Sequence, residues 1–261
     1  MSGQIELLML GTGTSAGVPM IGCHCEVCES TDPRDKRNRP SALISYDGLR
    51  IVIDTSPEFR LQCIANRVDM IDGVVFTHAH ADHVMGLDDV RRFNAINGKP
   101  IDIWADERTH EALGRCFGYA FLPPGEGPMV FRPQLTKRVI DGPFQIGSQQ
   151  WTPIPLIHGH WPVLGFRIGA IAYCTDVSEI PDESWSLLRD LDVLVLDALQ
   201  HKKHPAHFNL EEAVSVAQRV GAGVTLFTHI AHGLSHAKTN AQLPSNMRLA
   251  FDGERAEARA D

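Results

Sequence analysis

Residues 77–83 read Thr-His-Ala-His-Ala-Asp-His, and this stretch constrains the fold more than any other part of the chain. It supplies three imidazoles and one carboxylate, from His78, His80, Asp82 and His83. A short β-branched run precedes it and a helical pattern follows, so the motif lies on a strand-to-helix turn that can divide its side chains between two metal ions. Imidazole nitrogen and carboxylate oxygen suit Zn²⁺, Mn²⁺ or Fe²⁺. The motif therefore predicts a pair of divalent ions at a strand end.

Residue types that bind metals also follow other apolar runs. Five such runs end directly in Asp54, His78, His158, Asp176 or His229. Side chains at strand ends converge at one edge of a sheet, where open α/β folds bind their ligands. Eleven of the 13 histidines fall into four clusters, at 78–83, 158–160, 201–207 and 229–236. In the second cluster we prefer His158 as a ligand because it follows its strand directly, and His160 is the alternative.

Hydrophobic periodicity and turn residues predict one α/β domain over residues 1–261. Strands are predicted at 5–10, 41–46, 49–54, 73–77, 101–105, 151–157, 163–168, 170–175, 193–196 and 224–228. Helices are predicted at 57–67, 84–96, 107–117, 184–189 and 209–220, the last with Asn209 and Glu212 spaced as in a capping box. Asp47-Gly48 is typical of a hairpin turn. Residues 118–147, rich in Gly and Pro, are predicted to form a long loop over the site with a strand or two inside it.

Charge and hydropathy narrow the range of partners. The net charge of −8 and the pI near 5.9 argue against a protein that binds large nucleic acids, because these are negatively charged as well. No apolar run approaches the roughly 20 residues of a membrane span. The first residues, MSGQIELLML, lack the charged start of a signal peptide. We therefore expect a cytoplasmic protein with no membrane partner.

Three of the six cysteines, Cys23, Cys25 and Cys28, lie within a loop predicted at about residues 17–40. They are too close together for a conventional disulfide framework, and clustered thiols in a reducing compartment favour a metal ion. A tetrahedral structural zinc needs four ligands, and His232 is the candidate for the fourth. The other three cysteines, Cys63, Cys116 and Cys174, are expected to be buried apolar residues.

The histidine motif, followed in order by the strand-end residues His158, Asp176 and His229, resembles the metallo-β-lactamase superfamily from residue 5 to about residue 252. The resemblance implies a four-layer αββα sandwich with a dinuclear site along one edge. It implies one ion on His78, His80 and His158, a second on Asp82, His83 and His229, and Asp176 as the bridge. Asp82 is also expected to contribute to catalysis, and Asp54 to orient the ligand loop.

The thiolate motif, paired with Thr-His-x-x-His at residues 228–232, is similar to two groups within that superfamily. One is the phosphodiesterase of phosphonate breakdown that acts on a phosphoribosyl cyclic phosphate, and the other is a protein of PQQ biosynthesis. The first resemblance implies that the thiolate-bound zinc is structural and that His207, just before the capped helix, protonates the leaving alkoxide. Such relatives are often dimers, so a homodimer is expected by analogy.

These observations predict a dinuclear hydrolase that uses Mn²⁺ or Zn²⁺ on a small phosphorylated substrate. The predicted substrate is a phosphodiester, cyclic ribose or nucleotide phosphates included. A thioester or lactone hydrolase of the same fold and a non-hydrolytic metalloprotein of the PQQ-biosynthesis kind are the alternatives. A tRNA-processing ribonuclease is disfavoured by the acidic charge.

Overall fold

Two seven-stranded sheets form the centre of the protein. The computed structural model describes residues 3–123, 125–126 and 131–260. Its strands are β1 Gln4–Gly11, β2 Ser41–Tyr46, β3 Leu49–Ile53, β4 Gly73–Val75, β5 Ile101–Ala105, β6 Leu135–Val139, β7 Phe144–Ile146, β8 Gln149–His158, β9 Trp161–Ile168, β10 Ile171–Cys174, β11 Val193–Asp197, β12 Val224–Thr228, β13 Met247–Leu249 and β14 Arg255–Arg259.

The helices are short and lie between the strands in sequence. They are α1 Glu26–Glu29, α2 Phe59–Ala65, α3 Ala81–Val84, α4 Arg91–Asn97, α5 Glu107–Phe117, α6 Leu210–Val220 and α7 His236–Asn240. Single 3₁₀ turns occupy Pro33–Asp35, Leu87–Val90, Gly118–Phe121 and Asp182–Leu188. Within the residues described, no helix is both long and apolar enough to cross a membrane.

Each sheet is mixed and carries a block of four parallel strands. The first sheet has the order β14-β1-β2-β3-β4-β5-β6, and β3 to β6 run parallel. The second has the order β13-β12-β11-β10-β9-β8-β7, and β10 to β13 run parallel. The carboxyl ends of parallel neighbours meet at one edge, and this arrangement brings distant segments of the chain together there.

Three hydrophobic cores separate four layers, as an αββα sandwich requires. In β1, Ile5, Leu7 and Met9 face the core between the sheets, while Leu8 and Leu10 face the core beneath α2, α4 and α5. The same alternation in the second sheet turns Val195 inward and Leu196 toward the core that contains α6 residues. This arrangement of layers confirms the predicted fold class. Strands whose two faces are buried against different layers have near-continuous apolar sequences, which is why periodicity could identify them.

Most predicted elements are present, with shifted ends. The Asp47-Gly48 turn has positive φ at both residues, 48° and 80°, as a two-residue hairpin requires. Asn209 caps α6 in a capping box with Glu212. Residues 118–147 contain β6 and β7, and the part of this loop at 124 and 127–130 lies outside the described residues.

Two predictions were wrong. The helix expected at residues 84–96 is divided into α3, a 3₁₀ turn and α4, and between α3 and that turn the backbone of Gly86 lies so close to α2 that a Cβ there would be 2.7 Å from the Cβ of Phe59. Cys116 is exposed on α5 rather than buried. Two more strands, β13 and β14, follow the strand predicted at residues 224–228, and the polar β14 pairs with β1.

Candidate metal centre

Three residues of the predicted site adopt left-handed backbone conformations one or two positions after the end of a strand. Asp54, Asp176 and His229 have φ of 61°, 52° and 58°, and they follow β3, β10 and β12. Positive φ is uncommon outside glycine, although Asp and His tolerate it better than β-branched residues do. Such strain tends to cluster at functional sites, where surrounding structure holds it in place. All three strand ends lie at the edge where the two sheets' parallel blocks terminate.

Four side chains form a first cluster at this edge. One potential ligand atom from each of His78, His80, His158 and Asp176 lies within 4.8 Å of the others. The Nε2 atoms of His78 and His158 are each 3.8 Å from Oδ2 of Asp176. His80 is exposed, so this cluster has one side open to solvent.

A second cluster consists of Asp82, His83, Asp176 and His229, all buried. Nε2 of His229 lies 3.6 Å from Oδ2 of Asp82 and 3.4 Å from Oδ2 of Asp176. Nε2 of His83 lies 3.2 Å from the other oxygen, Oδ1, of Asp176. The two clusters therefore share one carboxylate.

The residues of both clusters fit divalent metal ions. Ligand distances of about 2.0–2.2 Å in tetrahedral geometry place ligand atoms about 3.4 Å apart, close to the separations seen here. Nε2 of His78, of His83 and of His229 is buried without a hydrogen-bond partner among the described residues. Unpaired buried nitrogens are costly, and a metal ion would satisfy all three. The fold and these donor sets together imply bound divalent ions.

The charge states of His78, His158 and Asp176 suit cation binding, whereas the nearby carboxylates, Asp176 first among them, raise the pKa of His83 and His229 despite burial, so these two rings release a proton when a metal ion binds. Burial lowers the pKa of His78 and His158, so both imidazoles are neutral near pH 7, which is the form that binds a metal ion. Burial opposes ionisation of Asp176, yet the imidazoles of His229 and His83 hold its pKa well below the usual range. The shared carboxylate is therefore anionic.

Asp54 contacts the turn that carries the metal ligands and fixes its orientation. Its Oδ2 lies 2.7 Å from Nδ1 of His83, and its Oδ1 accepts a hydrogen bond of 2.9 Å from the backbone nitrogen of Thr77. The Thr77 hydroxyl donates to the same carboxylate at 2.7 Å. A proton held on Nδ1 of His83 leaves Nε2 free to face the second cluster.

His207 lies against both clusters without belonging to either. Its ring stacks on that of His229 at a centroid distance of 4.6 Å, and it lies 4.5 Å from the ring of His158. Nδ1 of His207 is 2.6 Å from Oδ2 of Asp197, which also accepts from the backbone nitrogen of Val177. His207, Asp197 and His229 also offer ligand atoms within 4.8 Å of one another.

Asp197 is the residue that the sequence analysis missed. It ends β11, directly after an apolar run, and so obeys the same rule that singled out five other residues. His160, in contrast, is exposed and contributes to no cluster among the residues described, while Nδ1 of His158 lies 2.6 Å from the Ala206 carbonyl oxygen. The geometry thus favours His158 as the ligand.

The residues of the predicted thiolate site also lie close together. Ligand atoms of Cys23, Cys25, Cys28 and His232 lie within 4.8 Å of one another, and Nδ1 of His232 is 3.2 and 3.3 Å from the sulfurs of Cys23 and Cys25. The backbone nitrogen of Cys28 and the His232 ring lower the pKa of Cys25 to about 6. Thiolates bind zinc, so the cluster fits a closed tetrahedral ion. His232 lies three residues after His229, which links this site to the histidine–carboxylate clusters.

Comparisons with known proteins agree with this fold. Residues 49–230 match the family described as the beta-lactamase superfamily domain. A crystal structure of a new diphosphatase from the PhnP family is 43% identical, with a TM-score of 0.92 over 98% of each chain. Zn²⁺-bound PqqB from Methylobacterium extorquens is 18% identical, with a TM-score of 0.75 over 96% of this chain and 99% of that one, and so shares the fold.

A longer curated protein also matches. The octanoyltransferase of Porphyromonas gingivalis is 35% identical over 256 residues, which is 95% of this chain and 51% of that protein. The chain thus spans about half the length of this relative.

Proposed function

Since the chain belongs to the beta-lactamase superfamily, and within it to the family of the PhnP diphosphatase, we propose that it is a dinuclear metal-dependent hydrolase of small phosphodiesters. The observation that carries this proposal is the pair of clusters that share Asp176, with His207 packed against both of them. Zn²⁺ or Mn²⁺ suits these nitrogen and oxygen ligands. The proposed ligands are His78, His80 and His158 on one ion, Asp82, His83 and His229 on the other, and Asp176 between them.

Divalent ions held by these residues would make hydroxide available near neutral pH and would withdraw charge from the non-bridging phosphate oxygens. The protein's own part is to position groups around the phosphorus. Asp82 and Asp176 contribute negative charge that holds the cations, and Asp54 fixes the orientation of His83. Because most of these side chains are buried, little reorganisation accompanies the reaction.

His207 is proposed as the general acid. Its Nδ1 faces Asp197, so the proton that passes to the departing alkoxide is the one on Nε2 of the doubly protonated ring. The stacking on His229 holds the ring beside the second cluster. Asp197 is a positioning residue in this scheme, because it acts through His207.

The alternative functions can be tested by adding other substrates. A thioester or lactone hydrolase would use the same metal ligands. Because the Porphyromonas gingivalis relative is an octanoyltransferase, an octanoyl thioester is the acyl compound to test. A non-hydrolytic role of the PQQ-biosynthesis kind would leave every substrate intact. Because another relative is a diphosphatase, the compounds to test also include a phosphoric anhydride.

The test is a substrate panel on the full chain reconstituted with Mn²⁺ or Zn²⁺. We expect bis(p-nitrophenyl) phosphate and 2′,3′-cyclic nucleotides to be hydrolysed, and octanoyl thioesters and lactones to be inert. Asp176→Ala, which removes the shared carboxylate, should abolish the activity and lower the metal content. Hydrolysis of the acyl compounds alone would reject the phosphodiesterase, and turnover of no compound would support the non-hydrolytic role.

A further inference from the structure

One carboxylate oxygen beside the two clusters has no hydrogen-bond partner. Asp197 is fully buried at the end of β11, and its Oδ2 accepts from Nδ1 of His207 and from the backbone nitrogen of Val177. Its Oδ1 is enclosed as well, and within the described residues it is the only enclosed carboxylate oxygen that lacks a partner. An enclosed anionic oxygen without a donor is costly, so a donor for Oδ1 is expected nearby.

His229 carries a donor that is also without a partner. Both nitrogens of its ring are buried and make no hydrogen bond among the described residues. Nε2 lies 3.6 Å from Oδ2 of Asp82 and 3.4 Å from Oδ2 of Asp176, so it faces the second cluster. Nδ1 is therefore the nitrogen left without a role. A potential ligand atom of His229 lies within 4.8 Å of one from Asp197, so the ring and the carboxylate are close neighbours.

The other buried histidines of the two clusters show what such a nitrogen requires. In each of them Nδ1 has an oxygen as its hydrogen-bond partner. These partners are the Thr77 hydroxyl for His78 at 3.0 Å, the Asp54 carboxylate for His83 at 2.7 Å and the Ala206 carbonyl oxygen for His158 at 2.6 Å. An imidazole that binds a metal ion through one nitrogen almost always donates the other N–H to an oxygen. His229 is the exception among these four residues, and Oδ1 of Asp197 is the unused oxygen beside it.

Thr228 offers the competing donor. Its hydroxyl is buried and unpaired among the described residues, and Thr228 lies opposite Asp197 in the register of β11 and β12. A hydroxyl is a neutral donor, whereas the N–H of an imidazole that binds a cation through its other nitrogen makes a charge-assisted hydrogen bond. The anionic oxygen of Asp197 therefore favours His229 over Thr228.

We propose that the Asp197 carboxylate accepts from two imidazoles, from His207 at Oδ2 and from Nδ1 of His229 at Oδ1. The inference rests on the proposed function, in which Nε2 of His229 binds an ion of the second cluster. Asp197 then positions that metal ligand as well as the general acid. Loss of the carboxylate should therefore weaken metal binding at the second cluster, whereas loss of His207 should not.

The first test follows the Nδ1–H proton of His229 by NMR, in the full chain labelled with ¹⁵N-histidine and loaded with Zn²⁺. A ring proton held by a buried carboxylate exchanges slowly with water and resonates far downfield. We expect this behaviour for His229 in the wild type, in His207→Ala and in Thr228→Val. In Asp197→Ala the resonance should move upfield or be lost through exchange. The ring proton of His83, which faces the Asp54 carboxylate, should stay in place in every variant.

The second test is the affinity for Zn²⁺, measured by competition with a chelating dye. Asp197→Ala should weaken the binding of one ion about 10- to 100-fold, the usual cost of removing a group that orients a metal ligand. His207→Ala and Thr228→Val should stay within about threefold of the wild type. Asp72→Asn is the matched control and should change neither readout, because this carboxylate accepts from the backbone nitrogen of Arg50 before β4, whereas the metal ligands follow that strand.

A His229 proton that keeps its position in Asp197→Ala, or that moves in Thr228→Val, overturns the proposal. Should Asp197→Ala fail to fold, Asp197→Asn replaces the carboxylate by a neutral amide of the same size. The proton should still move upfield in that variant, because a neutral acceptor holds it less strongly. An unmoved proton in the folded amide variant overturns the proposal equally.

Failure of the proposed function gives a different pattern, because neither test requires turnover. A chain that hydrolyses no phosphodiester but shows the expected response to Asp197→Ala retains the hydrogen bond between Asp197 and His229 and loses the proposed reaction. Hydrolysis of phosphodiesters by a chain whose His229 proton is insensitive to Asp197→Ala retains the reaction and overturns the hydrogen bond.

Discussion

Nδ1 of His207 lies 2.6 Å from Oδ2 of Asp197, and the same oxygen accepts a 2.9 Å hydrogen bond from the backbone nitrogen of Val177. The carboxylate is fully buried at the end of β11, so its position is fixed by the sheet. It fixes in turn which nitrogen of His207 faces the metal clusters.

His207→Ala should slow hydrolysis of a dialkyl or cyclic ribose phosphodiester by about 10²–10⁴-fold, because the departing alkoxide then leaves without a proton. The loss on bis(p-nitrophenyl) phosphate should be much smaller, because nitrophenolate leaves without help. The measurement is kcat on both substrates, with metal content determined alongside.

His201→Ala is the control for His207, since it changes an exposed histidine in the same loop. It should leave both rates and the metal content unchanged. Equal losses on the two substrates in His207→Ala would point to a role in substrate binding, and loss of an ion would make His207 a ligand.

Asp197→Asn should reproduce the leaving-group dependence of His207→Ala with a loss of about 10–10³-fold, because a neutral amide does not stabilise the protonated ring of His207 that donates the proton. Two residues that act as one unit are not additive. The double variant should therefore be no slower than His207→Ala alone, and additive losses would contradict the positioning role.

Chelation should separate two metal populations. A dilute chelator is expected to remove the ions of the histidine–carboxylate clusters first, because His80 leaves that site open, while the four ligands Cys23, Cys25, Cys28 and His232 enclose theirs. Activity should then be lost while about one zinc per chain remains, as measured by elemental analysis. Absence of any metal beyond the dinuclear pair would refute the structural site.

Cys25→Ser should lower the melting temperature by roughly 10 °C or more and remove zinc, because a structural ion contributes its binding free energy to folding. The folded fraction should keep most of its activity. Cys116→Ser changes an exposed cysteine that belongs to no described cluster, and it should melt like the wild type. Unchanged melting and zinc content in Cys25→Ser would show that Cys25 is not a ligand.

Acidification should lower the free energy of unfolding, in part because His236 binds a proton more readily in the unfolded chain. Burial, with the charges of Arg37 and Arg34, lowers the pKa of His236 to about 4, whereas the unfolded value is near 6.5. The unfolded chain therefore binds more protons in this range, so the stabilising contribution is complete above pH 6.5 and is lost as the pH falls toward 4. Urea unfolding at pH 7 and pH 4.5 measures the difference.

His236→Gln should reduce that pH dependence, and His24→Gln, at a side chain that is 84% exposed, should not. The same loss of unfolding free energy on acidification in His236→Gln as in the wild type would contradict the assignment.

Local sequence signals predicted the elements that depend on neighbouring residues. The hairpin turn at Asp47-Gly48 and the capping box of α6 follow from side chains within four positions of each other, and both are present. The strand-end rule also placed His158, Asp176 and His229 at one site. Asp197 also satisfies this rule, but the sequence alone does not show that it meets His207.

The fold class and the candidate ligands could be predicted from the sequence, because strand periodicity and the residues at strand ends are local properties. Which side chains meet depends on how the sheets and helices pack. β14 pairs with β1 across nearly the whole chain, the backbone of Gly86 lies against α2, and His207 meets Asp197. Such contacts arise when sheets and helices pack together, and the spacing of residues along the chain carries no record of them.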